Sequence, residues 1–184
     1  MKKFFLGFLS GFLTTALGIF ILGYIISKDF SPGEFQAPDL KLGISTGKGS
    51  YNLQLMSLKN QLILDSMVLR NKVLVLNFWE RWCRPCKLEL NSLEQLYNVT
   101  KDSSILFAVI SKEDPLLTAT DTTVIHSQLP FYHLKNIIPE VYNGEAVPRT
   151  FIIDKKGKVI IQETGARNWA SESVVRFIDS LKKL

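Results

Sequence analysis

The sequence predicts an α/β domain, built on a central mixed sheet covered by helices on both faces and standing behind one N-terminal transmembrane helix. Three observations carry this expectation. Residues 4–26 contain no charged side chain. Two near-continuous aliphatic runs, "KVLVLNFW" and "SILFAVIS", flank a stretch with helical periodicity. The chain then closes with a hairpin pattern, "TFIIDKKGKVIIQET", and an amphipathic segment, "SESVVRFIDSLKKL".

The N-terminal run follows Lys2 and Lys3 and would extend about 34 Å as a helix, at about 1.5 Å per residue. That is enough for a hydrocarbon core of ~30 Å. Ser10, Thr14 and Thr15 are tolerable there, because helical hydroxyls can bond back to backbone carbonyls. A cleaved signal peptide is the rival. Its apolar core would usually span only ~7–15 residues before a small-x-small cleavage site. Here the run is longer and ends in "GYIISKDF", so a retained anchor over residues 1–27 is the expectation. The two lysines place the N-terminus in the cytoplasm and Lys28 onward outside. Residues 28–36, with Pro32 and Gly33, read as a linker, and 37–184 as the exported domain.

Within that domain "SYNLQLMS" and "NQLILDS" alternate apolar and polar residues, as two strands of an antiparallel hairpin would. "KVLVLNFW" suits a strand buried on both faces. From Pro85 the pattern changes, since Cys86, Leu90, Leu93 and Tyr97 share one face of a helix. "SILFAVIS" is a second buried strand, residues 115–128 read as a threonine-rich helix, and "FYHL" as a short strand. The closing hairpin turns at Lys156–Gly157. The last helix is capped by Ser171 and carries lysines in its final turn. Strand–helix–strand–helix followed by a hairpin and a helix implies the mixed sheet.

Composition excludes some classes. The chain of 184 residues is 46% hydrophobic and 21% charged, which argues against disorder. Its net charge of +5 is scattered, with no basic run interleaved with aromatics, so nucleic acid is not an expected partner.

The chemistry concentrates in "NFWERWCRPCKLEL", which holds the chain's two cysteines, Cys83 and Cys86. Three readings compete. As a staple, a four-residue ring is worth about 2 kcal/mol in the loop-entropy model, and less where a helix already holds it. As half of a zinc site, the pair lacks partners. Only His126 and His133 remain, and their spacing does not fit a His-x(3–5)-His arrangement, so each reads as an ordinary surface or partly buried residue. As a redox pair, it fits the local chemistry. Cys83 falls between a buried strand and a helix, where unpaired N–H groups and the macrodipole favour a thiolate. Arg84 adds a positive charge beside it. Pro85 suits the first helical turn, because its missing N–H would be unpaired there. Cys86, one turn further in, is expected to be less exposed and more inert. Trp79 reads as core, and Trp82 as a cover for the disulfide that also offers substrate an apolar surface.

"NFWERWCRPCK" resembles the active-site segment of thioredoxin-fold proteins, in particular the membrane-anchored thiol–disulfide oxidoreductases of the TlpA/ResA type. "APDLKL" is similar to that family's entry strand, "QLPFYHL" to its Leu-Pro-Phe segment, "VPRTFIIDKKGKV" to its cis-proline loop and hairpin, and "GARNW" to the turn before its last helix. The resemblance covers roughly residues 36–184. It implies a thioredoxin-like fold with an N-terminal β-hairpin extension, with Cys83 attacking and Cys86 resolving. Pro148 would be a cis-proline packed against the disulfide, and the Val147 backbone would pair with an extended substrate segment. Trp82, Arg84, Pro85, Val147 and Pro148 would form the substrate face. Thioredoxins themselves bury an aspartate six residues before the first cysteine, where this chain has Asn77. The proton for Cys86 must come from elsewhere. Glu89 matches the acid that ResA-type proteins place after their cysteine pair, and Glu80 is a weaker second candidate.

The resemblance implies an exported protein-disulfide reductase, requiring no cofactor and no metal. It would act on protein thiols and disulfides and be recharged by a membrane electron donor, for example in cytochrome c maturation. Two rivals stand beside it: an oxidant running the same exchange backwards, and a module that uses the groove to bind without turnover.

Overall fold

A computed structural model describes residues 17, 18, 21, 35–38 and 47–184. The chain divides into two units, residues 1–34 and 35–184, and the second carries the sheet and the cysteines. The expected anchor over residues 4–26 lies outside the described residues, apart from the helical Leu17, Gly18 and Ile21. Among the described residues, no helix is long and apolar enough to cross a membrane. Of the expected entry strand, Ala37 and Pro38 are not in a strand, and the rest lies outside the described residues.

The centre of the second unit is β4 (Val73–Phe78), with every residue buried. Its side chains alternate between two cores, as the two-residue period of a strand requires. Val73 and Val75 enter one core, and Leu74, Leu76 and Phe78 the other. β4 runs parallel to β5 (Ile105–Ser111), a pairing that needs a crossover, and α2 (Arg84–Thr100) supplies it. β5 pairs in parallel with β6 (Phe131–Leu134). On the other side β4 pairs antiparallel with β7 (Arg149–Ile153), which pairs with β8 (Lys158–Thr164). The edges are β1 (Gly47–Lys48) beside β8 and the hairpin of β2 (Leu55–Ser57) and β3 (Ile63–Leu64) beside β6. Among the described residues eight strands form one mixed sheet, in the order β1-β8-β7-β4-β5-β6-β2-β3.

The expected hairpins are both present, the first much shorter than its alternating pattern suggested. The β7–β8 turn places Gly157 at φ +82, a conformation that favours glycine. Asp154 closes this turn by accepting the Lys156 and Lys158 N–H groups at 2.9 and 2.8 Å. Residues 115–128 hold two short helices, α3 (Pro115–Ala119) and α4 (Thr122–His126). The break is chemical. Asp121 turns its carboxylate onto the Thr123 N–H at 2.8 Å and starts a new helix instead of continuing the old one.

Helices lie on both faces of the sheet, as expected, but they are unequal in length. The two long helices, α2 and α5 (Glu172–Lys182), pack on the same face, where Leu90, Leu93 and Leu96 meet Val174, Phe177 and Ile178. The opposite face is closed by Leu53, by Leu69 of the short α1 (Ser66–Leu69) and by Tyr142 of a 3₁₀ turn (Glu140–Tyr142). Leu53 lies in the alternating stretch read from sequence, but α1 and the 3₁₀ turn had no periodic signature. Trp79 is fully buried in the α2-side core and meets Phe131 edge to face at 5.3 Å, as its core reading required.

Candidate active site

The site is built where β4 ends and α2 begins. The Glu80 carbonyl accepts the Cys83 N–H at 3.0 Å, folding "ERWC" into a turn. Cys83 is the N-cap of α2, with Pro85 in the first helical turn. Cys83 and Cys86 form a disulfide with a Cα–Cα separation of 5.3 Å. The Cys83 sulfur accepts the Cys86 backbone N–H at 3.2 Å, so a donor that the helix leaves unpaired is aimed at it. That bond would favour a thiolate once the disulfide is reduced. Cys86 is the deeper of the two by a narrow margin, 0% exposed against 3%.

Opposite the disulfide, the Val147–Pro148 peptide is cis, and the Val147 carbonyl oxygen lies 3.6 Å from the Cys83 sulfur. In the disulfide this is a contact without a proton between the atoms. Arg84 and Pro85 lie exposed on the rim, Val147 is half-buried and Pro148 buried. Trp82 is 70% exposed. It lines a shallow groove of about 270 Å³, shared with Glu80, Lys112, Glu113, Gly144, Glu145 and Val147. The turn from Glu80 to Cys83 holds the cysteine against the sheet, and this leaves the neighbouring tryptophan to solvent.

Behind the disulfide lies Glu89, one helical turn beyond Cys86 on the same buried face and 1% exposed. Its Oε1 accepts from the Asn77 amide at 2.6 Å. Its Oε2 accepts the Arg167 backbone N–H at 3.0 Å and the Trp169 indole N–H at 3.2 Å. Asn77 also donates to Thr150 Oγ1 at 2.8 Å, its cross-strand neighbour in the β4–β7 register. Burial pushes the Glu89 carboxyl up to about 7, against the pull of these hydrogen bonds. The position of the missing aspartate is therefore filled by an amide that holds the relocated acid. Trp169→Phe removes one donor to the charged form. It should raise Glu89 by roughly one further unit, read as an upward shift in the pH at which stability stops falling.

Glu80 faces another way. Ser111 donates to its Oε2 at 2.6 Å and the Lys112 N–H to its Oε1 at 3.3 Å, so it ties the end of β5 to the cysteine turn. Burial raises its pKa, and these bonds oppose the rise. Of the two acids proposed from sequence, Glu89 shares a buried face with Cys86 and Glu80 lines the groove. The histidines are ordinary. His126 is exposed with Nδ1 at 2.8 Å from the Thr122 carbonyl, and half-buried His133 has Nδ1 at 3.0 Å from the Glu113 carbonyl. No metal-binding cluster occurs among the described residues.

The sequence reasoning missed the cage around Glu89. Arg167 contributes a backbone N–H and Trp169 its indole, from positions 78 and 80 residues away, a separation that no local pattern reveals.

Fold and site together define a thioredoxin-like domain with its cysteine pair at the N-terminus of the crossover helix. A solved structure of a thiol:disulfide interchange protein from Bacteroides sp. superimposes with a TM-score of 0.60 at 20% identity, covering 73% of this chain and 91% of that one. At that identity the likeness concerns the fold. The chain belongs to the Redoxin family, which it matches over residues 35–176. Among curated relatives, it is 30% identical over 122 residues to thiol-disulfide oxidoreductase ResA of Geobacillus kaustophilus, covering 61% of this chain and 65% of that protein. It is 28% identical over 126 residues to the thioredoxin-like protein YneN of Bacillus subtilis, covering 65% of this chain and 71% of that one. The match thus spans just under two thirds of the length of that ResA protein.

Proposed function

We propose that this protein catalyses thiol–disulfide exchange with protein substrates, more specifically as a reductant. The observation that carries the reading is the Cys83–Cys86 pair capping α2, with the Cys86 N–H on the Cys83 sulfur and a buried carboxyl one turn behind. In the reduced protein the Cys83 thiolate attacks a substrate disulfide, forming a mixed disulfide and releasing one substrate sulfur, which takes a proton from water. Cys86 then gives its proton to ionised Glu89 and attacks the Cys83 sulfur. The second substrate sulfur leaves and the Cys83–Cys86 disulfide forms. Val147 offers backbone edge to an extended substrate, Trp82 an apolar wall and Arg84 and Pro85 the rim.

The wider setting belongs to the same proposal. Residues 4–26 anchor the chain, the domain lies outside the cytoplasm, and a membrane electron donor restores the dithiol. Cytochrome c maturation is one process that needs such a reductant. Support comes from the uncharged N-terminal run after Lys2 and Lys3 and from the family likeness.

The test is the reduction potential of Cys83–Cys86, equilibrated against defined thiol buffers. A value near about −270 mV or below is expected, in the range of thioredoxin. A value near about −120 mV would make the protein an oxidant. A pair that did not cycle at all would return it to a structural or binding role.

A further inference from the structure

Arg149 follows the cis peptide directly and is only 5% exposed. It faces the side of the sheet away from Glu89, because it pairs with Phe78 in the β4–β7 register, and its guanidinium lies 5.7 Å from the Phe78 ring centroid. A guanidinium stays charged in proteins, and a buried one ordinarily meets an acid. Here none does among the described residues, and Nε lacks any hydrogen-bond partner.

The location of this unneutralised charge is informative. A Cβ at Gly144 would fall 2.3 Å from Arg149 Nη1, so the guanidinium presses directly against the Gly144 backbone. Gly144 and Val147 both line the groove beside Trp82, and the Val147 carbonyl touches the Cys83 sulfur. The charge therefore lies immediately behind the groove wall. The groove's own carboxylates, Glu80, Glu113 and Glu145, oppose a negative sulfur. Glu113 is partly offset by Arg81 at 3.4 Å, and Lys112 and Arg84 lie at the surface.

We propose that Arg149 is the electrostatic support that keeps Cys83 a thiolate in the reduced protein, acting through the cis-proline loop from behind the groove wall. This rests on the exchange function proposed above, because a thiolate matters only if Cys83 is a nucleophile. The Val147 carbonyl lies 3.6 Å from the sulfur, and two residues of chain across the cis peptide plus an arginine's length put the charge on the order of 10 Å from it. Across an effective dielectric constant of about 20, that separation is worth about one pKa unit. The packing alternative is that Arg149 merely fills space over Phe78, with no effect on the sulfur.

The experiment follows the pH dependence of Cys83 alkylation by iodoacetamide, read by mass spectrometry on the reduced full chain. Arg149→Gln should raise the Cys83 pKa by about one unit, slowing alkylation about tenfold on the acid side, while Arg149→Lys stays close to the parent. An unchanged pKa in R149Q, or an equal shift in R149K, would overturn the proposal. If R149Q does not fold, Gly144→Ala keeps the charge but forces the guanidinium away from the wall. Its Cys83 pKa should then rise, and an unchanged value there would also overturn the proposal. Alkylation needs no redox partner, so a protein that failed to cycle would still give a clear answer.

Discussion

A Cys86→Ser variant should attack substrate disulfides and stop there, accumulating a mixed disulfide through Cys83. The backbone N–H of residue 86, which donates to the Cys83 sulfur, is retained by serine, and Arg149 is untouched. Attack therefore survives while resolution is lost. Turnover should fall by at least about 10³-fold, the scale expected when one member of a covalent catalytic unit is removed. Cys83→Ala should fall as far but trap nothing, because Cys86 is wholly buried behind it. Mass spectrometry of the protein after exposure to a disulfide-bonded substrate checks both. An adduct on Cys86 in the Cys83→Ala variant would reverse the assigned roles.

Glu89→Gln should act on rate and on stability, in a linked way. Losing a positioned proton acceptor should slow resolution by roughly 10²-fold or more and remove the limb of the pH–rate profile near neutrality. In the folded protein Glu89 titrates at about 7, against 4.5 as an ordinary carboxyl. Below both values each state holds the proton and Glu89 imposes no penalty. As pH rises, the unfolded chain releases its proton first, so stability is lost progressively between 4.5 and about 7 and then levels off. The difference corresponds to about 3 kcal/mol. Denaturant midpoints at about pH 4 and about pH 8 should therefore differ much more in the parent than in Glu89→Gln. Equal pH dependence in the two proteins would remove Glu89 as the titrating group.

The parts of this molecule legible from sequence were those with a local period or a local motif. β4, β5, α2, α5 and the β7–β8 hairpin each carry their burial pattern within a dozen or so residues. The cysteine turn was readable from its own residues, whereas the cis Val147–Pro148 bond and the role of Glu89 came only through the family resemblance. What escaped was decided by tertiary structure. α1, β1 and the 3₁₀ turn are too short to show periodicity, yet Leu69 and Tyr142 help to close one face of the sheet. The exposure of Trp82 depends on how the Glu80–Cys83 turn points, which composition does not encode. Asn77 could be seen to replace an aspartate, but its link to Thr150 required the β4–β7 register.

The cage around Glu89 has a consequence for the growing chain. Its donors come from Asn77 near the middle and from Arg167 and Trp169 close to the end. A nascent chain that has emerged only as far as β7 already carries both thiols at the start of α2, but the last two donors have yet to arrive. Such an intermediate would have a nucleophile with no organised acid beside it, competent to form adducts and slow to clear them. Arrival of the Arg167–Trp169 segment would thus be the event that completes the cage around the acid behind the thiols.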